Sequence, residues 1–203
     1  MTASRRAFLA SGLAAGAGLV LAPPVLAQQG TAASWTLPAN YEPMIVRLRG
    51  TYAPGEIHVD PNVFSLYLTL PGGQAIRYMV GIAKGDLYES GIFRIGAKKE
   101  WPSWKPTAEM VERHPEAYAK WAETPMPGGK DNPLGARALY LFTPTGGDTM
   151  LRIHGTPQPW TVGSAVSNGC VRLANEHVMQ LYDQTAINAR AVLYPKAPAS
   201  PAA

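Results

Sequence analysis

Residues Ile153 to Leu173 read I-H-G-T-P-Q-P-W-T-V-G-S-A-V-S-N-G-C-V-R-L. The stretch holds the chain's single cysteine, Cys170, and a histidine sixteen positions earlier, His154. A thiol is a weak nucleophile until it loses its proton. A neighbouring imidazole can take that proton and leave a thiolate–imidazolium pair. Ser167-Asn168-Gly169 is turn chemistry. Such a turn can present Cys170 at a surface with its own N–H and that of Gly169 free, as an acyl-transfer oxyanion requires. The plainer reading is that Cys170 is a small buried hydrophobe.

H-G-T followed by S-N-G-C-V-R-L resembles the signature of the L,D-transpeptidases, the YkuD-domain family of cell-wall enzymes. The resemblance continues upstream through M-P-G-G-K-D-N-P-L-G-A-R-A-L-Y-L, residues 126–141, and covers roughly Pro43 to Tyr194. It implies a mainly β fold: a YkuD-like sandwich, a short helix after the nucleophile, and an irregular, partly helical insertion. It also implies acyl transfer at peptidoglycan stem peptides without a cofactor. Cys170 attacks the diaminopimelate carbonyl and releases D-alanine, with His154 as base. The carbonyl of Gly155 orients the imidazole, leaving one ring nitrogen to receive the thiol proton. Arg172 either holds a substrate carboxylate or pins the turn by a salt bridge. Tyr140, Ser167, Asn168 and Gly169 are placed with it on the substrate side. Asn168 stands where many members have His, so His154 alone can be the base. Glu89-Ser90-Gly91 departs from the family's Thr-Pro-x-Gly turn.

The resemblance leaves the amine acceptor open among a second stem, a free D-amino acid and an outer-membrane lipoprotein. It also implies acylation by carbapenems. Rival readings are a hydrolase (an L,D-carboxypeptidase) on the same site, a non-catalytic peptidoglycan-binding module, and an exported redox thiol. Intact H-G and S-N-G-C disfavour the binding module, and the lack of a second cysteine disfavours the redox thiol.

Outside this stretch, 203 residues with 19 prolines and 20 glycines indicate one loop-rich, β-leaning domain. Ser4-Arg5-Arg6-Ala7-Phe8-Leu9 is a twin-arginine pattern. An apolar run and Val25-Leu26-Ala27 follow it, so residues 1–27 read as an exported signal handled by twin-arginine machinery and addressed to the periplasm. The run is too short and glycine-rich to span a membrane stably. Without Arg5 and Arg6, 16 basic side chains face 14 acidic ones, a balance of +2. That is no footprint for nucleic acid. A lone thiol in an oxidising compartment is a liability unless it is used.

Residues 28–42 read as a flexible leader, 43–194 as the catalytic domain, and 195–203 as a disordered-type tail. Met44 to Leu48 is a first short strand. Asn62–Leu70 and Gln74–Ile82 alternate as a hairpin around Pro71-Gly72-Gly73, with Phe64, Leu66, Leu68 and Leu70 sharing a face. Gly91–Ala97, Ala136–Thr143, Thr149–His154 and Ala189–Tyr194 are further strands. Thr107 to Glu123 has helical spacing broken by Pro115. It lies in an irregular insertion, Lys98 to Asn132, whose Trp101, Trp104 and Trp121 are either a lid over the site or the insertion's own core. Asn175 is an N-cap for the helix carrying Val178, Met179, Leu181 and Tyr182. His177 lies on that helix as a surface residue. His154, His177 and Cys170 lack metal-ligand spacing, so no metal site is expected.

Overall fold

In a computed structural model, residues 35–198 are described. The twin-arginine segment, the cleavage position and the first part of the leader lie outside the described residues.

The framework is a nine-stranded sheet. In chain order its strands are β1 (Met44–Arg47), β2 (Ile57–Asp60), β3 (Ser65–Leu70) and β4 (Gln74–Met79), and, after the short β5 (Ile82–Ala83), β6 (Gly91–Glu100), β7 (Arg137–Phe142) and β8 (Asp148–His154). After β9 (Ala165–Ser167) come β10 (Val171–Arg172) and β11 (Arg190–Leu193). The spatial order is β1-β4-β3-β2-β11-β6-β7-β8-β10, with β5 and β9 forming a separate parallel pair. Among the described residues there are three α-helices, α1 (Ala108–Arg113), α2 (Pro115–Tyr118) and α3 (Asn175–Gln184).

The expected hairpin forms β3 and β4, with Leu66 opposite Tyr78 and Leu68 opposite Ile76. Gly72 and Gly73 turn it with φ of 77° and 70°, conformations that side chains with a Cβ avoid. Two details differ from expectation. Phe64 has φ 48° and precedes the strand, although it still packs against the core that holds Leu66 and Leu68. Ser65 and Thr69, on the polar face, are buried. The segment before β2 covers Thr69, whose hydroxyl donates to Ala53 O at 2.7 Å and accepts from Glu56 N at 2.8 Å. The four residues of β2 have no alternating run long enough to read in the sequence. They lie between β3, antiparallel, and β11, parallel.

The two ends of the sheet meet. β4 is second in the order and β10 is last, yet Gly81, two residues beyond β4, exchanges both backbone hydrogen bonds with Arg172, each 2.8 Å. The sheet therefore curls round its own core as a sandwich. A Cβ on Gly81 would lie 2.8 Å from Thr161 O, so the clasp needs glycine there. Inside the curl lie Leu66, Tyr78, Ile95, Leu139, Ile153 and Leu173, all fully buried, with Val178 and Leu181 of α3 closing the layer. Each such aliphatic side chain contributes roughly 1.5–3 kcal/mol by leaving water.

On α3, Met179 is exposed and His177 is buried, reversing the expected surface position of the histidine. His177 Nε2 meets Glu42 Oε2 at 3.3 Å. Ala174, not Asn175, is the N-cap residue. At the helix end, Lys98 Nζ donates to Tyr182 O and Thr185 O, giving two C-terminal carbonyls a cationic partner.

The insertion breaks at Pro115 as expected. α1 ends at Arg113, and Pro115 opens α2, where its missing N–H costs nothing. Its neck is cinched by Trp104 and Met126, which exchange backbone bonds of 2.9 and 2.8 Å. Residues 35–42 and 195–198 touch the domain: Arg77 Nη2 donates to Asn40 O at 3.0 Å, and Lys196 Nζ donates to Ala83 O and Gly85 O at 3.0 and 2.8 Å. Among the described residues no helix is long and apolar enough to cross a membrane.

Candidate active site

His154 ends β8, and Cys170 immediately precedes β10. The two strands run parallel, with Val171 opposite Ile153 and Arg172 opposite His154. Ile153 and Val171 point into the core. Alternation then sends Arg152, His154, Cys170 and Arg172 to the other face. All four line one cleft of about 970 Å³, together with Tyr140, Ser167, Asn168 and Gly169. The sixteen-residue spacing thus becomes adjacency through a parallel crossover. No hydrogen bond joins the imidazole to the thiol, and both face the same cleft.

The nucleophile turn closes on itself. Ser167 is buried, and its hydroxyl donates to Cys170 O at 2.5 Å. Gly169 N–H reaches Ser167 Oγ at 3.4 Å, so this donor is weakly engaged rather than free. Cys170 N–H has no partner among the described residues. Gly169 has φ 139°, which requires glycine. Asn168 Nδ2 meets Tyr118 OH at 3.2 Å, tying the turn to α2.

The imidazole of His154 is fixed from one side. Its Nδ1 lies 2.5 Å from Gly155 O. A carbonyl can only accept, so Nδ1 carries the hydrogen and Nε2 the lone pair. Gly155 N–H is bound in turn to Arg137 O at 3.0 Å.

The electrostatics are those of a neutral pair. Burial, then the Arg172 and Arg152 guanidiniums, push the His154 imidazole down to about 3, against the Gly155 and Leu134 carbonyls. Burial raises the Cys170 thiol, and the Glu89 carboxylate adds to this. The Arg152 backbone N–H and the charges of Arg152 and Arg172 oppose it. Burial thus biases both groups toward thiol and neutral imidazole, against the ion pair expected from the sequence, because it penalises both charged forms.

The two arginines differ. Arg152 was not singled out from the sequence. It is chelated by Asp148, with Nη1–Oδ1 at 2.7 Å and Nη2–Oδ2 at 2.9 Å, and stacks 4.0 Å over the Tyr140 ring. Its charge is matched, and the Tyr140 face is occupied. Arg172 has no carboxylate partner among the described residues, and its buried Nε lacks any hydrogen bond. That disposes of the salt-bridge reading for Arg172. Arg152 carries no motif signal; only its strand parity with His154 points to it.

The insertion forms one wall of the cleft through Trp104, Met110, Arg113 and Tyr118, with Asp86 and Glu89 also lining it. Trp104 and Tyr118 pack edge-to-face at 5.9 Å. The insertion therefore packs an aromatic pair within itself and also borders the site.

The family model of the L,D-transpeptidase catalytic domain, YkuD, matches residues 54–193. A "Putative L,D-transpeptidase in ATP synthase subunits region ORF 5" from Fuscovulum blasticum is 32% identical over 193 residues, 93% of this chain and 96% of that protein. Matches to L,D-transpeptidases of Escherichia coli span only 29% to 42% of those proteins' lengths. A Brucella melitensis structure, described as a probable carnitine operon oxidoreductase caia, is 47% identical, with TM-score 0.54, over 74% of this chain and 91% of its own. An L,D-transpeptidase from Mycobacterium smegmatis shares the fold at 15% identity, with TM-score 0.50, covering 68% of this chain and 58% of its own.

Proposed function

The chain belongs to the YkuD family of L,D-transpeptidase catalytic domains, and from that premise we propose that Cys170 and His154 carry out acyl transfer on peptidoglycan stem peptides. The observation that carries the reading is the shared cleft. A thiol and an imidazole on paired strands face one opening, with Nδ1 of the base anchored on Gly155 O. The unpaired Arg172 guanidinium offers a fork for a terminal carboxylate.

His154 Nε2 takes the thiol proton as Cys170 Sγ attacks the diaminopimelate carbonyl. Because the pair is neutral at rest, proton transfer accompanies attack. The Cys170 N–H faces the developing oxyanion, and Gly169 N–H joins it when its long bond to Ser167 yields. Such donors each contribute about 3 kcal/mol in comparable sites. His154 then protonates the leaving D-alanine nitrogen, and the carbonyl remains as a thioester on Cys170. An amine attacks the thioester, the C–S bond breaks, and the amine proton returns through His154 to the thiolate.

Transfer is favoured over hydrolysis because the insertion walls the cleft, and a covered thioester is shielded from water. The redox reading of a lone thiol is disfavoured: the chain has no second cysteine to resolve a disulfide. The twin-arginine pattern at Arg5 and Arg6 supports periplasmic action after export. Replacing both with Lys is expected to leave unprocessed precursor in the cytoplasm.

Purified protein with disaccharide-tetrapeptide, read by mass spectrometry, tests the function. Dimers joined through two diaminopimelates with D-alanine released are expected, and Cys170→Ala gives neither. Tripeptide alone, even at high acceptor concentration, would establish the carboxypeptidase instead. A carbapenem is expected to add one drug mass to the wild type and none to Cys170→Ala.

A further inference from the structure

Asn175 opens α3 but does not cap it. Its Oδ1 instead accepts the Ala136 N–H at 2.9 Å, thirty-nine residues away in sequence. The same oxygen occupies a notch between two glycines. A Cβ on Gly135 or on Gly155 would lie 2.3 Å from it. Gly135 also has φ 62°. One amide therefore holds together the 134–136 segment and the peptide that follows His154.

Those two segments supply the two backbone carbonyls that bear on the imidazole. Gly155 O takes Nδ1 at 2.5 Å, and Leu134 O lies immediately before Gly135. Gly155 is thus bounded on three sides. Its N–H is bound to Arg137 O, its Cα abuts the Asn175 amide, and its carbonyl holds the ring. We propose that Asn175 is the positioning residue for the catalytic base, setting the direction of Gly155 C=O and so keeping the His154 proton on Nδ1. The proposal rests on the acyl-transfer reading above. Asn175 touches no reacting atom. Without its amide, Ala136 N–H loses its partner, the notch between the glycines empties, and the Gly155 peptide is free to rotate. A base in the wrong tautomer has a hydrogen where its lone pair should be.

The full chain, labelled with ¹⁵N-histidine, decides this in the wild type, Asn175→Ala and Asn175→Asp. In the wild type the His154 Nδ1 signal is expected to be pyrrole-type and Nε2 pyridine-type. Asn175→Ala is expected to mix or invert these signals. It should lower kcat on the order of 10²-fold, the scale of a misplaced catalytic group, with KM for tetrapeptide changed less than about 3-fold. Asn175→Asp keeps an oxygen for Ala136 N–H, so it should restore the wild-type tautomer and most of the rate. Its added carboxylate favours the imidazolium and should move the acid limb of kcat to higher pH. A folded Asn175→Ala protein with unchanged His154 signals overturns the proposal, as does a loss carried by KM alone. If Asn175→Ala does not fold, Asn175→Ser is read by the same two criteria. A tautomer change in a protein that never transfers acyl groups would count against the proposed function and leave the positioning role standing.

Discussion

The site couples a buried imidazole to a half-buried thiol, and desolvation biases both toward their neutral forms. With His154 at about 3 and an ordinary value near 6.5, the base form is present throughout pH 5–8. No acid limb from free His154 is then expected near pH 6.5. The raised thiol gives the opposite signature. Iodoacetamide labelling of Cys170 should rise close to 10-fold per pH unit from 6 to 8, where a preformed ion pair would give a plateau. His154→Ala should slow acylation by substrate about 10²–10⁴-fold, the usual worth of a general base, and slow alkylation far less. Linkage fixes the sign of the stability effect. The folded value lies below the unfolded one, so the unfolded chain binds the extra proton. Stability is full above pH 6.5 and falls below it by up to about 1.4 kcal/mol per unit. A urea series at pH 7 and pH 5 should show this, with a smaller drop in His154→Gln. Arg172 also has unspent capacity, with an unbonded Nε and no acid partner among the described residues. Arg172→Gln should raise KM for tetrapeptide roughly 10- to 100-fold, the equivalent of a lost charged hydrogen bond, and leave D-alanine release detectable at saturation.

At the scale of elements, what the sequence disclosed followed signal length. The β3–β4 hairpin, β7, β8 and the Pro115 break stand on long alternation or a single steric rule. β2 is four residues long and takes its place from its neighbours, so nothing local announces it. Asn175 looked like an N-cap because Asn has that preference, but the Ala136 N–H outcompeted the helix's own donors. His154 and Cys170 were legible because turn and motif chemistry marks them. Arg152 was not, because its role comes from Asp148, Tyr140 and strand parity. The insertion is now separable from its roots. Trp104 and Met126 close its neck, and Gly128 packs against Trp101, where a Cβ would lie 1.9 Å from the carbonyl oxygen. Replacing residues 106–124 by a short glycine turn therefore spares both anchors. It removes Tyr118 and with it the bond to Asn168. The variant should stay folded by circular dichroism and shift the product ratio from cross-linked dimer toward tripeptide. An unchanged ratio in a folded variant would make the insertion purely structural.

At the scale of the whole molecule, site and sheet closure are one construction. The clasp between Gly81 and Arg172 joins the second strand's exit to the last strand. Arg172 belongs to that clasp through its backbone, lines the cleft with its side chain, and stands two residues from Cys170. Closing the curl thus presses β10 against β8 and sets the nucleophile beside the base. Gly81→Ala tests this, because the new Cβ meets the Thr161 carbonyl at 2.8 Å and backbone cannot yield cheaply. Overpacking of this kind typically costs about 1–3 kcal/mol. For a domain of this size that lowers Tm by roughly 2–12 °C, measurable by thermal circular dichroism. Leu68 of β3 pairs with Ile57 and Ile76 and not with β8 or β10, so Leu68→Ala, which empties a buried core site, should cost more, about 2–5 kcal/mol. The two variants should separate in activity. Measured well below either Tm, Leu68→Ala should keep kcat within a few-fold of wild type, since it loosens the core in strands that do not pair with β10. Gly81→Ala should lose kcat out of proportion to its smaller loss of stability, since a shifted β10 carries Cys170 away from His154. Equal catalytic losses at equal fractions folded would show that the clasp stabilises the sheet and does not position the nucleophile.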